Sequence, residues 1–398
     1  MPRFSPTAWY AYCFLGEFVL IYPTYLIMMQ ETGITPSGLA VLMVIWSGTT
    51  VLFEVPSGVL GDLWPRKRVM LLATGIEAMA FVIWLVAPSF WGFALGFTVW
   101  SLGGALASGT ADAYLYEALE DKDSFQQIYA RTEAVESFGA AAALFLGGFV
   151  AAGGYELPLI LSVAAPAAGG LILWLFLPRL EDLDHTRAGS DEEESDPSFT
   201  ATLRSGTRLV LTHRTIRMIV LASAALLALA GSFEEYVGVL FREHAFTLQQ
   251  VGMIYGGVWL ARTLGSLAAG RLHGATLRLP LLLFLTTGAA LLGASMGLGL
   301  WGFAPLLVAL LAFFAAEGTS SVIYGTRIQR SVRDHHRATV TSIQGVAMEV
   351  AAIGYFLLLG AAAELVSWTL SLQGTAVAAA LLSLIWLILY REGSQSHD

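Results

Sequence analysis

Twelve long apolar runs constrain this chain more than any other feature of its sequence. A run of about 20 apolar residues can cross a bilayer as an α-helix, and lipid offers the backbone no other hydrogen-bond partners. The 398-residue chain therefore predicts an all-α integral membrane protein. The predicted spans are 8–29, 38–60, 69–87, 91–117, 131–152, 157–177, 216–240, 249–270, 279–299, 303–325, 339–362 and 370–390.

The basic residues test this count, because cytoplasmic loops of membrane proteins are enriched in lysine and arginine. If both termini are cytoplasmic, the terminal segments and every second loop hold 19 of the 21 basic residues. The opposite loops hold only Arg242, and Arg262 lies within a predicted span. A miscounted helix would destroy this alternation. We therefore expect a multi-pass protein of the cytoplasmic or inner membrane with both termini inside the cell.

A polar stretch divides the spans into six and six. Residues 190–196 read SDEEESD, which is typical of a solvated, disordered linker, and residues 199–214 predict an amphipathic helix on the membrane surface. Segments starting at 57 and 265 resemble each other, as do those starting at 130 and 338, with one shared offset near 208 residues. Two such repeats predict a binding cavity between the halves. The predicted parts are an N-terminal six-helix bundle (1–178), a cytoplasmic linker with an amphipathic helix (179–215) and a C-terminal six-helix bundle (216–398).

Composition excludes several classes of function. Charged residues make up 13% of the chain, about half the usual share, which excludes a water-soluble enzyme. Neither lysine, Lys67 or Lys122, lies in a phosphate-binding loop, so the chain cannot hydrolyse ATP. With Cys13 as the one cysteine and no HExxH motif, we expect neither a metal site nor any cofactor. A net charge of −9 argues against nucleic acid as a partner.

The loop between the second and third spans carries the most specific motif. Its sequence from Gly58 to Arg68, GVLGDLWPRKR, is similar to the loop signature of the major facilitator superfamily, although Leu63 and Pro65 replace a basic residue and a glycine. Stretches EVPSG from Glu54 and SGTADAYLYE from Ser108 resemble bacterial exporter-like members. The resemblance covers the whole chain. It implies two six-helix bundles and a cytoplasmic gate of Gly58, Asp62, Arg66, Lys67 and Arg68 with Glu54, Asp112 and Arg131.

Two features common in drug–proton antiporters of that family are absent. Gly147 and Gly148 are present in the fifth span, but no Gly-Pro pair precedes them. Ala105 stands in the fourth span where such members often carry an arginine. The overall resemblance therefore favours export, but the motifs that would identify a drug–proton antiporter are missing.

Charged residues inside the spans are the candidate proton-coupling and substrate-binding residues. Placing each of them in a membrane costs about 2.5–3.5 kcal/mol, so their presence needs a functional or structural reason. Glu17 leads as a proton or substrate site, because first spans line the cavity in this family; the function of Glu77 is left open. In the second half, the depth of Arg262 matches those of Glu317 and Glu349, so a pair with either is expected. That pair is either a structural ion pair or a switch whose partner changes during transport.

Two further groups complete the candidate site. Glu234 and Glu235 lie in the outer part of span seven, where an acidic pair would attract cations at the mouth. Aromatic rings at cavity-like positions can stack on a flat or cationic ligand. These aromatic residues are Tyr10, Tyr22, Tyr25, Tyr255, Trp259 and Tyr324.

We therefore predict a monomeric secondary transporter and not an enzyme. Its expected activity is export of a small, amphipathic, neutral or cationic compound in exchange for protons, by alternating access. The nearest alternative is a symporter or uniporter for a sugar or another small nutrient. A receptor or scaffold that has kept the fold without transporting is a third interpretation, since a fold does not determine a function.

Overall fold

The described part of the chain is helical. The computed structural model describes residues 4–107, 110–119, 121, 124–178, 207–272, 275–332 and 334–390, and the side chains of 54–63 and 334–338 lie outside that description. Within the described residues, ten helices are long and apolar enough to cross a membrane. The prediction of an all-α membrane protein is therefore confirmed.

The described residues of the first half of the chain form eight helical segments. Most predicted spans correspond to one helix; in the fourth span, α5 and α6 are the parts on either side of residues 108 and 109, which lie outside the described residues. The helices are α1 (Pro6–Gly16), α2 (Tyr25–Glu31), α3 (Pro36–Leu63), α4 (Arg66–Val86), α5 (Phe90–Ala107), α6 (Thr110–Ala118), α7 (Phe125–Ala151) and α8 (Glu156–Phe176).

The second half of the chain is also a series of helices joined by short connections. Of the predicted amphipathic helix at 199–214, residues 207–212 are described and are helical, whereas the acidic stretch 190–196 lies outside the described residues. The remaining helices are α9 (Arg214–Glu243), α10 (Leu248–Ala269), α11 (Arg278–Met296), α12 (Leu298–Trp301), α13 (Ala304–Ser331), α14 (Asp334–Leu365) and α15 (Trp368–Leu389).

The first predicted span, 8–29, is not one continuous helix. It consists of α1 and α2 with a turn region at 17–24 between them. Pro23 explains the interruption, because proline has no N–H to donate and disfavours the helical conformation of the residue before it. Tight turns replace the helix, with the Tyr22 N–H on the Val19 carbonyl at 3.2 Å. The sequence prediction missed this break.

The break is held by the two helices packed against it. The backbone N–H of Ile21 donates to Ser162 Oγ of α8 at 3.0 Å, so the break does not leave that donor unpaired. On α7, a Cβ added to Gly147 would lie 2.1 Å from the Leu20 carbonyl oxygen. Glycine at 147 is therefore required for α7 to approach the broken segment.

The chain forms two compact units. The first comprises residues 1–194 and 241–256, and the second comprises residues 195–240 and 257–398. The predicted division into 1–178, 179–215 and 216–398 stays a prediction.

Aromatic rings fill the core of each unit. In the first, the Trp84 ring lies 4.9 Å from that of Phe97 and 5.8 Å from that of Tyr25. In the second, Phe284 lies 5.5 Å from Phe313. These contacts fix the helices that carry the charged side chains described next.

Candidate functional site: acidic side chains at a broken helix and a buried arginine

Glu17 lies where the first span breaks. It caps the C-terminal end of α1, and its side chain is exposed rather than packed into the core. A Cβ added to Gly139 of α7 would lie 3.5 Å from Glu17 Cβ, so α7 runs directly beside it. Carboxylates at breaks in membrane helices are typical of ion and substrate sites, because the helix ends leave backbone groups available there.

Three carboxyl groups, those of Glu77, Glu133 and Glu136, interact electrostatically with Glu17, and Asp112 interacts with Glu133 and Glu136. We call this set the acidic cluster: Glu17, Glu77, Asp112, Glu133 and Glu136. Arg131, the one basic residue of α7, is exposed near the N-terminal end of that helix. The cluster therefore concentrates negative charge, which favours taking up a proton or a cation.

Sequence reasoning overlooked Glu133 and Glu136. Their spacing of three places both on one face of α7, and Gly139, three residues further on, contacts α1 on that same face. That spacing inside the predicted span 131–152 was the signal. Glu136 also lies beside the buried Cys13 of α1.

Glu77 is fixed by the crossing of α4 and α5. A Cβ added to Gly103 would lie 2.5 Å from Glu77 Cγ and 3.1 Å from the Ala73 carbonyl oxygen. Glycine at 103 thus makes room for the stem of this glutamate. The structure places Glu77 beside Glu17, which gives this residue a specific neighbour in the acidic cluster.

Arg262 of α10 binds two carboxylates in the second unit. Its Nε donates to Glu317 Oε2 at 2.6 Å and its Nη1 to Glu234 Oε1 at 3.3 Å, while Nη2 also donates to Glu234 Oε2. The side chains are 22%, 13% and 9% exposed for Arg262, Glu317 and Glu234. The guanidinium also lies 5.5 Å from the ring centres of Trp259 and Phe314. We call Arg262, Glu234 and Glu317 the arginine triad.

The arginine triad partly matches its prediction. Depth along the helices correctly indicated Glu317 as a partner. Glu234 was expected at an open mouth together with Glu235, but both are buried, and Glu234 binds Arg262. The long arginine side chain spans the difference in depth. Glu349, the other predicted partner, lies half-buried on α14.

The predicted gate residues fall into three groups. Arg66 forms an ion pair with Glu117 at 3.0 Å, and Lys67 donates to the carbonyl oxygens of Trp174 at 3.0 Å and Leu177 at 2.5 Å. Arg68, Asp112 and Arg131 are exposed. The side chains of Glu54, Gly58 and Asp62 lie outside the described residues.

Replacing Lys67 with methionine should lower the free energy of unfolding by about 2 kcal/mol. Lys67 is 6% exposed and its ammonium caps the last carbonyls of α8. Charged hydrogen bonds of this kind contribute about 1.5–3 kcal/mol. Unfolding the purified protein with SDS in mixed micelles measures the change. Arg68→Met, which removes the exposed neighbouring charge, is the control. Equal stability of Lys67→Met and wild type would contradict the capping role.

The predicted cavity aromatics differ in their surroundings. Tyr25 is buried and its hydroxyl lies 3.7 Å from Met43 Sδ, whereas Tyr22 lies in the break, with its ring 6.0 Å from that of Trp100. Trp259 contacts Arg262. Tyr10 is half-buried, and Tyr255 and Tyr324 are buried.

A further contact in the first unit joins segment 241–256 to the first half of the chain. Arg242 Nη2 donates to Glu31 Oε1 at 3.1 Å, and Tyr155 Oη donates to Glu31 Oε2 at 2.7 Å. Burial and the Glu31 carboxylate raise the pKa of Tyr155, so its phenol stays protonated as a donor. Beside it, a Cβ added to Gly148 would lie 2.8 Å from Gly252 Cα. The backbones of α7 and α10 therefore touch.

The two clusters differ in what they can do. The acidic cluster holds carboxyl groups with a surplus of negative charge, whereas the charge of Arg262 is already neutralised by its partners. Among the described residues, no group of three or more histidine, cysteine, aspartate or glutamate side chains is arranged to hold a metal ion.

Comparisons with known proteins agree with this architecture. Residues 9–354 match the sequence profile of the Major Facilitator Superfamily. The chain is 27% identical over 282 residues to the enterobactin exporter EntS of Escherichia coli O127:H6, a match covering 68% of this chain and 64% of EntS. The chain therefore spans slightly less than two thirds of the length of that relative.

Solved structures show the same fold. A variant of the nucleoside transporter NupG superposes with a TM-score of 0.76 at 14% identity, covering 97% of this chain and 100% of NupG. A D-xylose-proton symporter gives a TM-score of 0.73 at 12% identity, covering 97% of each chain. At such identities the likeness concerns the fold alone.

Proposed function

Because the chain belongs to the Major Facilitator Superfamily, it is a secondary transporter and not an enzyme, and we propose that it exports a small amphipathic compound in exchange for protons. The observation that carries this proposal is the acidic cluster at the broken first span. A proton-coupled site needs a carboxyl group that can exist in both protonation states, and burial with like charges nearby favours the protonated state of carboxyl groups. Glu17 combines such neighbours with an exposed side chain.

We assign each candidate group a role in transport. Glu17 takes up the proton, with Glu77 and Glu136 as neighbours that compete for it. Protonation favours one facing state and substrate binding favours the other, so that each ligand shifts the population toward its own state. The gate residues Arg66 and Lys67 stabilise the cytoplasmic ends of their helices in this scheme.

The substrate we propose is neutral or cationic. An anion requires a basic partner within the membrane, and Arg262, the one basic residue deep in a predicted span, already binds Glu234 and Glu317. With both carboxylates ionised, the arginine triad carries a net negative charge. The similarity to an enterobactin exporter supports the outward direction. We place the protein in the inner membrane with both termini cytoplasmic, on the distribution of its basic residues.

The internal pH of proteoliposomes tests this function. Purified protein is reconstituted, a proton gradient is imposed, and lipophilic cations, sugars and organic acids are added in turn, with protein-free liposomes as the control. We expect a cation or an amphipathic neutral compound to dissipate the gradient. A compound that equilibrates without moving protons would make the protein a uniporter. Proton and sugar entering together would make it a symporter, and no transport of any compound would favour the receptor interpretation.

A further inference from the structure

Three buried polar side chains of the second unit make no hydrogen bond to the described part of the chain. They are the hydroxyl groups of Ser232 and Tyr236 on α9 and the indole N–H of Trp368 at the start of α15. These residues are 2%, 2% and 4% exposed. Native proteins seldom leave a buried polar group unpaired, because it has lost its hydration without gaining a partner. Each of the three groups therefore needs a partner from outside the chain.

The three side chains lie close to one another where α9, α14 and α15 pack. Ser232 and Tyr236 are four residues apart on α9, and this spacing places both on one face of the helix. The ring of Tyr236 lies 5.0 Å from that of Trp368 and 6.0 Å from that of Phe356 on α14. We call Ser232, Tyr236 and Trp368 the polar corner.

The chemistry of the polar corner limits what can bind there. The indole N–H of Trp368 only donates, whereas the two hydroxyl groups both donate and accept. The indole has no lone pair to offer a metal cation. An anion would be repelled by the carboxylate of Glu235, which is buried on α9 and interacts electrostatically with Tyr236. A neutral molecule that accepts and donates hydrogen bonds suits all of these groups.

We propose that the polar corner binds water inside the second unit. Buried waters in proteins typically make about three hydrogen bonds to polar groups that otherwise lack a partner, and the polar corner offers three such groups. Lipid supplies no hydrogen bonds, so polar groups within the membrane are satisfied by the protein or by water held inside it. This water site is separate from the acidic cluster, which belongs to the first unit.

Radiolytic footprinting of the purified full-length chain in isotopically labelled water tests this proposal. X-rays produce hydroxyl radicals from water, so a buried ring is oxidised where water is bound beside it. Tyr114 and Trp84 are matched controls, because they are fully buried and donate to backbone carbonyl oxygens at 2.8 Å and 3.3 Å. We expect Tyr236 and Trp368 to be oxidised severalfold faster than these two controls. Equal rates for the two pairs would overturn the proposal.

A serine variant tests whether the polar corner itself holds the water. Ser232→Ala removes one of the three polar groups and should lower the oxidation of Tyr236 and Trp368 severalfold. Ser295→Ala is the control, because Ser295 is also buried in the second unit and its hydroxyl already donates to the Leu292 carbonyl oxygen at 2.7 Å. It should leave the oxidation of both rings unchanged. Unchanged oxidation in Ser232→Ala would also overturn the proposal.

The stability of Tyr236→Phe gives an independent test with an opposite sign for the alternative. If water bridges the polar corner, losing the hydroxyl takes a partner from that water, and the midpoint of SDS unfolding falls. If the hydroxyl is buried without water, its removal relieves an unpaired group, and the midpoint rises. We expect a lower midpoint than that of wild type. A midpoint at or above that of wild type would contradict the proposed water site.

Discussion

Replacing Arg262 with methionine should lower the free energy of unfolding by about 3–5 kcal/mol, the largest loss expected from any single change in this protein. The substitution keeps a long apolar stem but leaves two carboxylates in the interior with no cation. Neither carboxylate can regain its hydration there, so each must take up a proton or distort the packing. SDS unfolding of purified protein measures the loss.

Two further variants make this prediction specific. Arg242→Met removes an arginine whose ion pair with Glu31 is 40% and 42% exposed, so we expect a loss below about 1 kcal/mol. Adding Glu234→Gln and Glu317→Gln to Arg262→Met should recover most of the stability, because no unpaired charge then remains. Equal losses for the two arginine variants, or no recovery in the triple variant, would contradict the description of the arginine triad.

Replacing Glu17 with glutamine should abolish proton-coupled transport and leave the fold intact. Glutamine has nearly the same size but cannot exchange a proton at neutral pH, and an exposed substitution of this kind changes stability by no more than about 0.5 kcal/mol. The flux of protons in proteoliposomes, measured with the compound that dissipates the gradient for wild type, is expected to fall to that of protein-free liposomes.

The control for Glu17→Gln is Glu156→Gln, which removes an exposed carboxylate at the start of α8, outside the acidic cluster. It should transport as wild type does. If Glu17→Gln keeps full coupling, the proton is carried elsewhere, and Glu77→Gln and Glu136→Gln become the decisive variants. Substrate binding without proton movement in Glu17→Gln would show that the residue acts in coupling rather than in folding.

The span pattern predicted the helices well because their length and apolarity are imposed by the bilayer. Among the described residues, ten of the twelve predicted spans are helices long and apolar enough to cross a membrane. For each of the other two spans, the sequence contains a reason why it does not qualify. Pro23 interrupts the first, and Gln249, Gln250 and Arg262 lower the mean hydropathy of the eighth. Proline inside an apolar run was visible in the sequence, so this break was predictable from backbone chemistry.

The candidate site was predicted less completely, because a sequence gives depth along a helix but not the direction in which a helix faces. Depth correctly indicated Glu317 as a partner of Arg262. It could not indicate Glu234, which lies at another depth and is reached by the flexible arginine stem. Glu133 and Glu136 join Glu17 only because α7 turns that face toward α1, and this depends on tertiary packing.

The strength of the contact between Arg242 and Glu31 depends on the salt concentration of the surrounding medium. Both side chains are exposed, so dissolved ions screen their attraction, and the screening distance falls from about 8 Å in physiological saline to about 3 Å in 1 M salt. The arginine triad, being buried, is shielded from such ions. A rising salt concentration therefore weakens the contact between Arg242 and Glu31 far more than the contacts of the arginine triad.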